Sequence, residues 1–135
     1  MSRIRQLRLV VHASDYEQAV HFFRDVLGAP VEEEYASDGG ARVTILDVGR
    51  ATLELSNDAQ VELIDRVEVG RRVAPHLRVA LEVDDCEEST REAVEAGAEQ
   101  IAPPTRTPWD SLNSRLHAPA GIQLTLFQEL GKPGG

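Results

Sequence analysis

The sequence predicts an α+β protein of two tandem βαβββ modules whose mixed sheets form a groove. Three observations predict it. Residues 7–15 read LRLVVHASD, and residues 77–85 read LRVALEVDD, so the second half echoes the first. A helical stretch follows each copy and closes on a glycine, LGA at residues 27–29 and AGA at residues 96–98. The chain has 135 residues, enough for one domain with a real core. A repeated unit of this size buries its core against its copy, which sets equivalent side chains across a shared groove. Module one is expected over about residues 4–56, a connector over 57–75, module two over about 76–127 and a flexible tail over 128–135.

The elements follow in order. Residues 7–13 alternate as a strand, with Leu7, Leu9 and Val11 on one face and Arg8, Val10 and His12 on the other. Ser14 or Asp15 caps a helix, and Glu17 is spaced for a capping box with Ser14. Ala19, Val20, Phe22, Phe23, Val26 and Leu27 supply its apolar stripe, and Gly28 ends it. A strand is expected over residues 31–35, a turn at Ser37-Asp38-Gly39-Gly40, and a hairpin of residues 41–48 and 51–56 around Gly49-Arg50. The connector is mixed in charge and partly helical around residues 62–67. The second copy runs as a strand over 77–83 and a helix over 86–96, with Asp85 and Glu88 at capping-box spacing. A short strand follows at 100–102. Pro103, Pro104 and Pro108 mark a stiff loop carrying Trp109. Residues 112–117 and 122–127 form a last hairpin. The acidic run Glu32-Glu33-Glu34 is expected on a solvated strand edge, where charge discourages edge-to-edge pairing.

Composition excludes several classes. There are 14 Lys plus Arg against 23 Asp plus Glu, a formal net charge of -9. Duplex nucleic acid needs clustered cations, so it is not an expected partner. A small anion remains admissible, because a cleft holds local positive charge on an acidic protein. Cys86 is the single cysteine, which forbids an internal disulfide and points to a reducing, cytoplasmic setting. No apolar run reaches membrane-spanning length, and the N-terminus lacks a signal-peptide core. A phosphate-cradling glycine loop, a CxxC pair and a GxSxG elbow are also absent from the sequence.

Residues 10–28, VVHASDYEQAVHFFRDVLG, join an opening strand, an acidic helix start, an aromatic pair and a closing Leu-Gly. The second half supplies LEVDD at 81–85, AGA, TPW at 107–109 and PAGIQLTLF at 119–127. This pattern resembles the vicinal oxygen chelate, or glyoxalase/bleomycin-resistance/dioxygenase, superfamily over about residues 4–127. The resemblance implies paired βαβββ modules and, in members with a metal, ligands on the first and last strands of each module. Carried over by spacing, those positions are Arg8, Glu54, Arg78 and Thr125, where the family pattern calls for His, Glu or Gln. Arginine is permanently protonated and offers no lone pair. No metal and no cofactor are therefore expected at the family position, which puts metal-dependent glyoxalase, dioxygenase, epimerase and transferase readings in doubt.

Strand parity lines the groove with Arg8, His12, Glu54, Arg78 and Thr125. Two readings of the arginines stand: an anion clamp, or structural ion pairs with Glu54 and other acids. Trp109 is either a plug under its loop or a stacking platform. His12 reads as a polar strand-end residue or a general base, and His21 as a surface residue. His76 and His117 reach a metal site only through a shifted register with Glu54. Cys86 sits at a helix start, with no histidine near in sequence to make it a nucleophile. The leading expectation is a metal-independent, bleomycin-resistance-like homodimer sequestering a small anionic, partly aromatic metabolite or antibiotic. The ligand contacts would be Arg8, His12, Glu54, Arg78, Trp109 and Thr125. The alternatives are an enzyme of the same superfamily (lactoylglutathione-lyase-like, dioxygenase-like or a metal-free isomerase, lyase or hydrolase) and a regulatory module working through its dimer surface.

Overall fold

A computed structural model describes residues 8–9, 11, 13–51, 54 and 56–131. The first helix, α1 (Tyr16–Val20), is capped by Asp15, whose carboxylate accepts the Gln18 N–H at 3.1 Å. Asp15, not Ser14, therefore satisfies an orphan donor of the first turn. The helix then widens into a π-turn over His21–Val26, closed by the Leu27 N–H donating to the Phe22 carbonyl. Phe22 is fully buried there, and the Phe23 ring meets it edge-on, 5.1 Å between centroids. Gly28, at φ +77°, takes the left-handed position that ends the helix.

Strands β1 (Val31–Ala36) and β2 (Arg42–Leu46) pair antiparallel in a two-stranded sheet. All six β1 residues are exposed, the acidic run included. This hairpin is tied to α1 by the Tyr16 and Thr44 hydroxyls, by an Arg42–Glu17 ion pair and by the Arg42 guanidinium over the Tyr16 ring. The strand expected at residues 7–13 is only partly described, and Arg8, Leu9, Val11 and Ala13 lie in no strand. Ala51, Glu54 and Ser56 of the expected fourth strand also lie in no strand. His12, with Leu7, Val10, Thr52, Leu53 and Leu55, lies outside the described residues.

The connector is more ordered than its mixed charge suggests. It forms α2 (Asp58–Glu68), capped by Asn57 through the Gln60 N–H at 2.9 Å. Strand β3 (Val79–Glu82), helix α3 (Cys86–Glu95) and strands β4 (Glu99–Arg106), β5 (Ser111–Ala118) and β6 (Ile122–Glu129) complete the expected βαβββ order of module two. Sheet order is β3-β6-β5-β4, with β3 parallel to β6 and the other pairs antiparallel. Asp85 caps α3 by accepting the Glu88 N–H at 3.1 Å, and the Gln128 side chain accepts the Cys86 N–H at 2.9 Å.

The proline loop is corrected: β4 runs through Pro103 and Pro104. It is an edge strand, so missing N–H groups are tolerated, and its ladder with β5 shifts register between Ala102 and Thr105.

The core lies between this sheet and α3, with Phe22, Cys86, Ala93, Ala98, Leu116, Ala118, Leu124 and Leu126 buried together. Val79, Leu81 and Ile122 pack against it, as strand parity predicts. Leu9 and Val11, which share a face of the expected first strand, are exposed, and so is Leu77, which precedes β3. Among the described residues no helix is long and apolar enough to cross a membrane.

Candidate functional site

Alternation along β5 and β6 gives the second sheet two unlike faces. Leu116, Leu124 and Leu126 turn to α3. Ser111, Asn113, Arg115, Gln123 and Thr125 turn the other way, and all five are buried. A polar strand face goes dry only when something polar covers it, and here the cover is α2, which packs on β4 and β5. Its fully buried residues are Asp65 and Glu68, one helical turn apart.

These two carboxylates meet Arg115, whose side chain is 0% exposed. One terminal nitrogen of Arg115 donates to Asp65 at 2.8 Å and to the Gln123 carbonyl at 2.9 Å. The other donates to Glu68 at 2.8 Å. Asn113 donates its amide to the second Glu68 oxygen at 2.7 Å and accepts from Ser111 at 2.7 Å. The Thr107 and Ser111 hydroxyls bond at 2.7 Å. The second Asp65 oxygen accepts the Val73 and Ala74 N–H groups at 2.8 and 2.9 Å. Burial pushes the Asp65 carboxyl up, but hydrogen bonds from Ala74, Arg115 and Val73 outweigh it and hold it below its ordinary range. Among the described residues no buried side-chain nitrogen or oxygen lacks a partner.

The expected site residues are dispersed around this network. Arg78, half-buried just before β3, donates to the buried Thr125 hydroxyl at 2.6 Å. Desolvation lowers the Arg78 pKa, and nearby Arg115 lowers it further, while Glu68, Asp65 and Glu54 oppose both. Glu54 is exposed in a shallow depression with Ser56, Asn57 and Gln60. Arg8 forms an exposed ion pair with Glu33 at 3.9 Å. His21 is exposed and bonds Asp25 at 2.9 Å. His76 and His117 are exposed.

Trp109 is 48% exposed in the turn between β4 and β5. Arg78 adjoins the Val79–Leu124 pair, whereas Trp109 precedes the Ser111–Glu129 pair. That offset is about five residues, on the order of 17 Å along the sheet. The structure thus brings Arg78 and Thr125 together and sets Trp109 at the other end.

The superfamily's metal would need converging lone pairs at these positions. The Arg78 guanidinium offers none, and the Thr125 hydroxyl already accepts from it. Among the described residues no three His, Cys, Asp or Glu side chains are grouped to hold a metal ion.

Cys86 is 0% exposed, and its thiol bonds the Leu126 carbonyl at 3.3 Å. Burial pushes its pKa up, with weaker opposing hydrogen bonds from Thr90 and Ser114. The native thiol is expected to resist a disulfide reagent such as DTNB until denaturant is added. Rapid native labelling would show that the core beneath α3 opens.

A βαβββ unit with one apolar and one polar sheet face, preceded by a helix and a hairpin, defines a mixed α+β protein with two sheets. Over residues 5–126 the sequence matches the Glyoxalase/Bleomycin resistance protein/Dioxygenase superfamily, and the chain belongs to it. Solved structures share the fold. One is a glyoxalase/bleomycin resistance protein/dioxygenase from Nocardioides, 22% identical, covering 100% of this chain and 91% of that one, with a TM-score of 0.51. Another is a superfamily member from Sphaerobacter thermophilus, 24% identical over 88% of this chain and 92% of that one, TM-score 0.54. A third is hypothetical protein SA1046 from S. aureus, 13% identical over 94% of this chain and 95% of that one, TM-score 0.61. No curated protein matches the sequence.

Sequence reasoning missed Arg115, Asn113, Asp65 and Glu68. A signal was present: polar residues at 111, 113 and 115 alternate opposite Gln123 and Thr125, and acids three apart sit in the connector. Nothing local tied that connector to that strand face.

Proposed function

We propose that this chain is a small-molecule binding member of its superfamily that works without the family metal and takes an anionic, partly aromatic ligand, as a homodimer. The observation that carries this reading is the Arg78–Thr125 pair. A half-buried guanidinium spends one donor on Thr125 and keeps others for a guest. Partial desolvation beside Arg115 makes an arriving carboxylate more favourable, because charge-assisted hydrogen bonds strengthen away from water. Arg78 and Thr125 are the contacts on which the proposal rests. Arg8, His12, Glu54 and Trp109 are secondary candidates, and Trp109 would meet the same ligand only if the ligand or a second copy spans the sheet. Sequestration, as in bleomycin resistance, is the class of role.

Calorimetric titration with benzoate tests it. Binding is expected, with affinity falling at least about tenfold in Arg78→Gln, the loss of one charge-assisted bond. Unchanged affinity in that variant would overturn the clamp. Co-purification of stoichiometric Zn, Ni, Mn or Fe, lost on Glu54→Ala, would overturn the metal-free reading. Turnover of a bound ligand would move the protein to the enzyme class.

A further inference from the structure

We propose that the polar face of β5 and β6 is a site for a ligand carrying two carboxylates, and that α2 occupies it in the free protein, with Asp65 and Glu68 standing where those carboxylates bind Arg115. This rests on the anion-binding reading above and names its ligand class and its built-in competitor.

Charge balance is the first support. Two acids of α2, Asp65 and Glu68, both bond Arg115 of the sheet at 2.8 Å, and Arg72 of the connector lies 4.0 Å from Asp65. With α2 lifted away, Arg115 loses both of the carboxylates that it bonds on the helix. Those charge-assisted hydrogen bonds are what the helix gives up on leaving, and a dianion that takes its place restores them.

The manner of docking is the second support. The buried residues of α2 are two of its four acids, Asp65 and Glu68; Val61, Ile64 and Val67 are only half-buried, and Leu63 is 42% exposed. Ion pairs, unlike packed apolar area, are replaced one for one by a ligand with the same groups. An 11-residue helix also has little stability of its own in water.

The third support is how the two sides are anchored. Asn113, Arg115, Gln123 and Thr125 stand on paired strands, so the receiving side is preorganised. The Val73 and Ala74 N–H groups that hold Asp65 belong to the connector and move with it. Gly70, at φ +90°, follows the helix and permits a pivot that a side-chain-bearing residue would resist. On that side, among the described residues, the Gln123 amide bond to the Val73 carbonyl, 3.1 Å, ties the connector back to the sheet.

Hydrogen exchange with mass analysis of the wild-type chain, with and without isophthalate or glutarate, tests the exchange directly. Calorimetry on wild type and Glu68→Gln tests the competition. Diacid is expected to lower amide protection over residues 61–70, and Glu68→Gln is expected to bind isophthalate at least about tenfold tighter, having lost a competing charge. Isophthalate binding with unchanged exchange in α2, or with equal or weaker affinity in Glu68→Gln, overturns the self-occupied site and leaves the Arg78 reading standing. If neither diacid binds either protein, this proposal falls. Benzoate binding that depends on Arg78 then still supports the simpler reading, and its absence removes both.

Discussion

Arg115→Met is expected to destabilise the chain by about 3–5 kcal/mol at pH 7, since it strips the cation from two buried carboxylates. Methionine fills much of the arginine stem's volume, so the loss reports charge more than cavity. Urea denaturation followed by circular dichroism measures it. The pH dependence gives a second readout. In the parent, Asp65 has a folded pKa below its unfolded value, so its contribution is present above that unfolded value and is lost as pH falls through the folded one. In the variant Asp65 loses one of the groups holding it down, and it protonates at higher pH than in the parent. The gap between the two proteins should therefore narrow on acidification from pH 7 toward pH 4. A loss under about 1 kcal/mol at pH 7, or a gap that widens with acid, would mean that Asp65 and Glu68 do not sit on Arg115 in solution.

Phe22→Ala is the second large effect, about 3–5 kcal/mol. Phe22 is fully buried in the first half of the chain, yet its cluster partners Cys86, Leu116, Leu124 and Leu126 all belong to the second. Truncation opens a cavity under the π-turn and loosens its dock on α3. Thermal unfolding measures the loss. Hydrogen exchange over residues 16–27 should speed up more than over α3. A drop below about 1 kcal/mol would show that the π-turn is not part of that core.

The two substitutions probe opposite faces of one sheet, and this difference marks how far the sequence could be read. Module two was legible almost element by element. Asp85 is a helix cap that needs only its own next three residues, and the alternation over residues 122–127 sorts Leu124 and Leu126 from Gln123 and Thr125 without knowledge of any neighbour. Two local readings gave way to context. Pro103 and Pro104 lie in β4 because the strand is at the sheet edge, and edge position is a property of the whole sheet. The connector looked unremarkable, because the worth of Asp65 and Glu68 is invisible without Arg115, some fifty residues on.

What the sequence determined by itself is the superfamily and the βαβββ order of its second half. These are matters of short-range periodicity and side-chain chemistry, which the chain states locally. What only the tertiary structure decided is where charged groups find partners: Arg78 with Thr125, Arg8 with Glu33, and Arg115 with Asp65 and Glu68 of α2. A charge is settled by whatever lies within a few ångströms after folding, and long-range packing alone sets that distance.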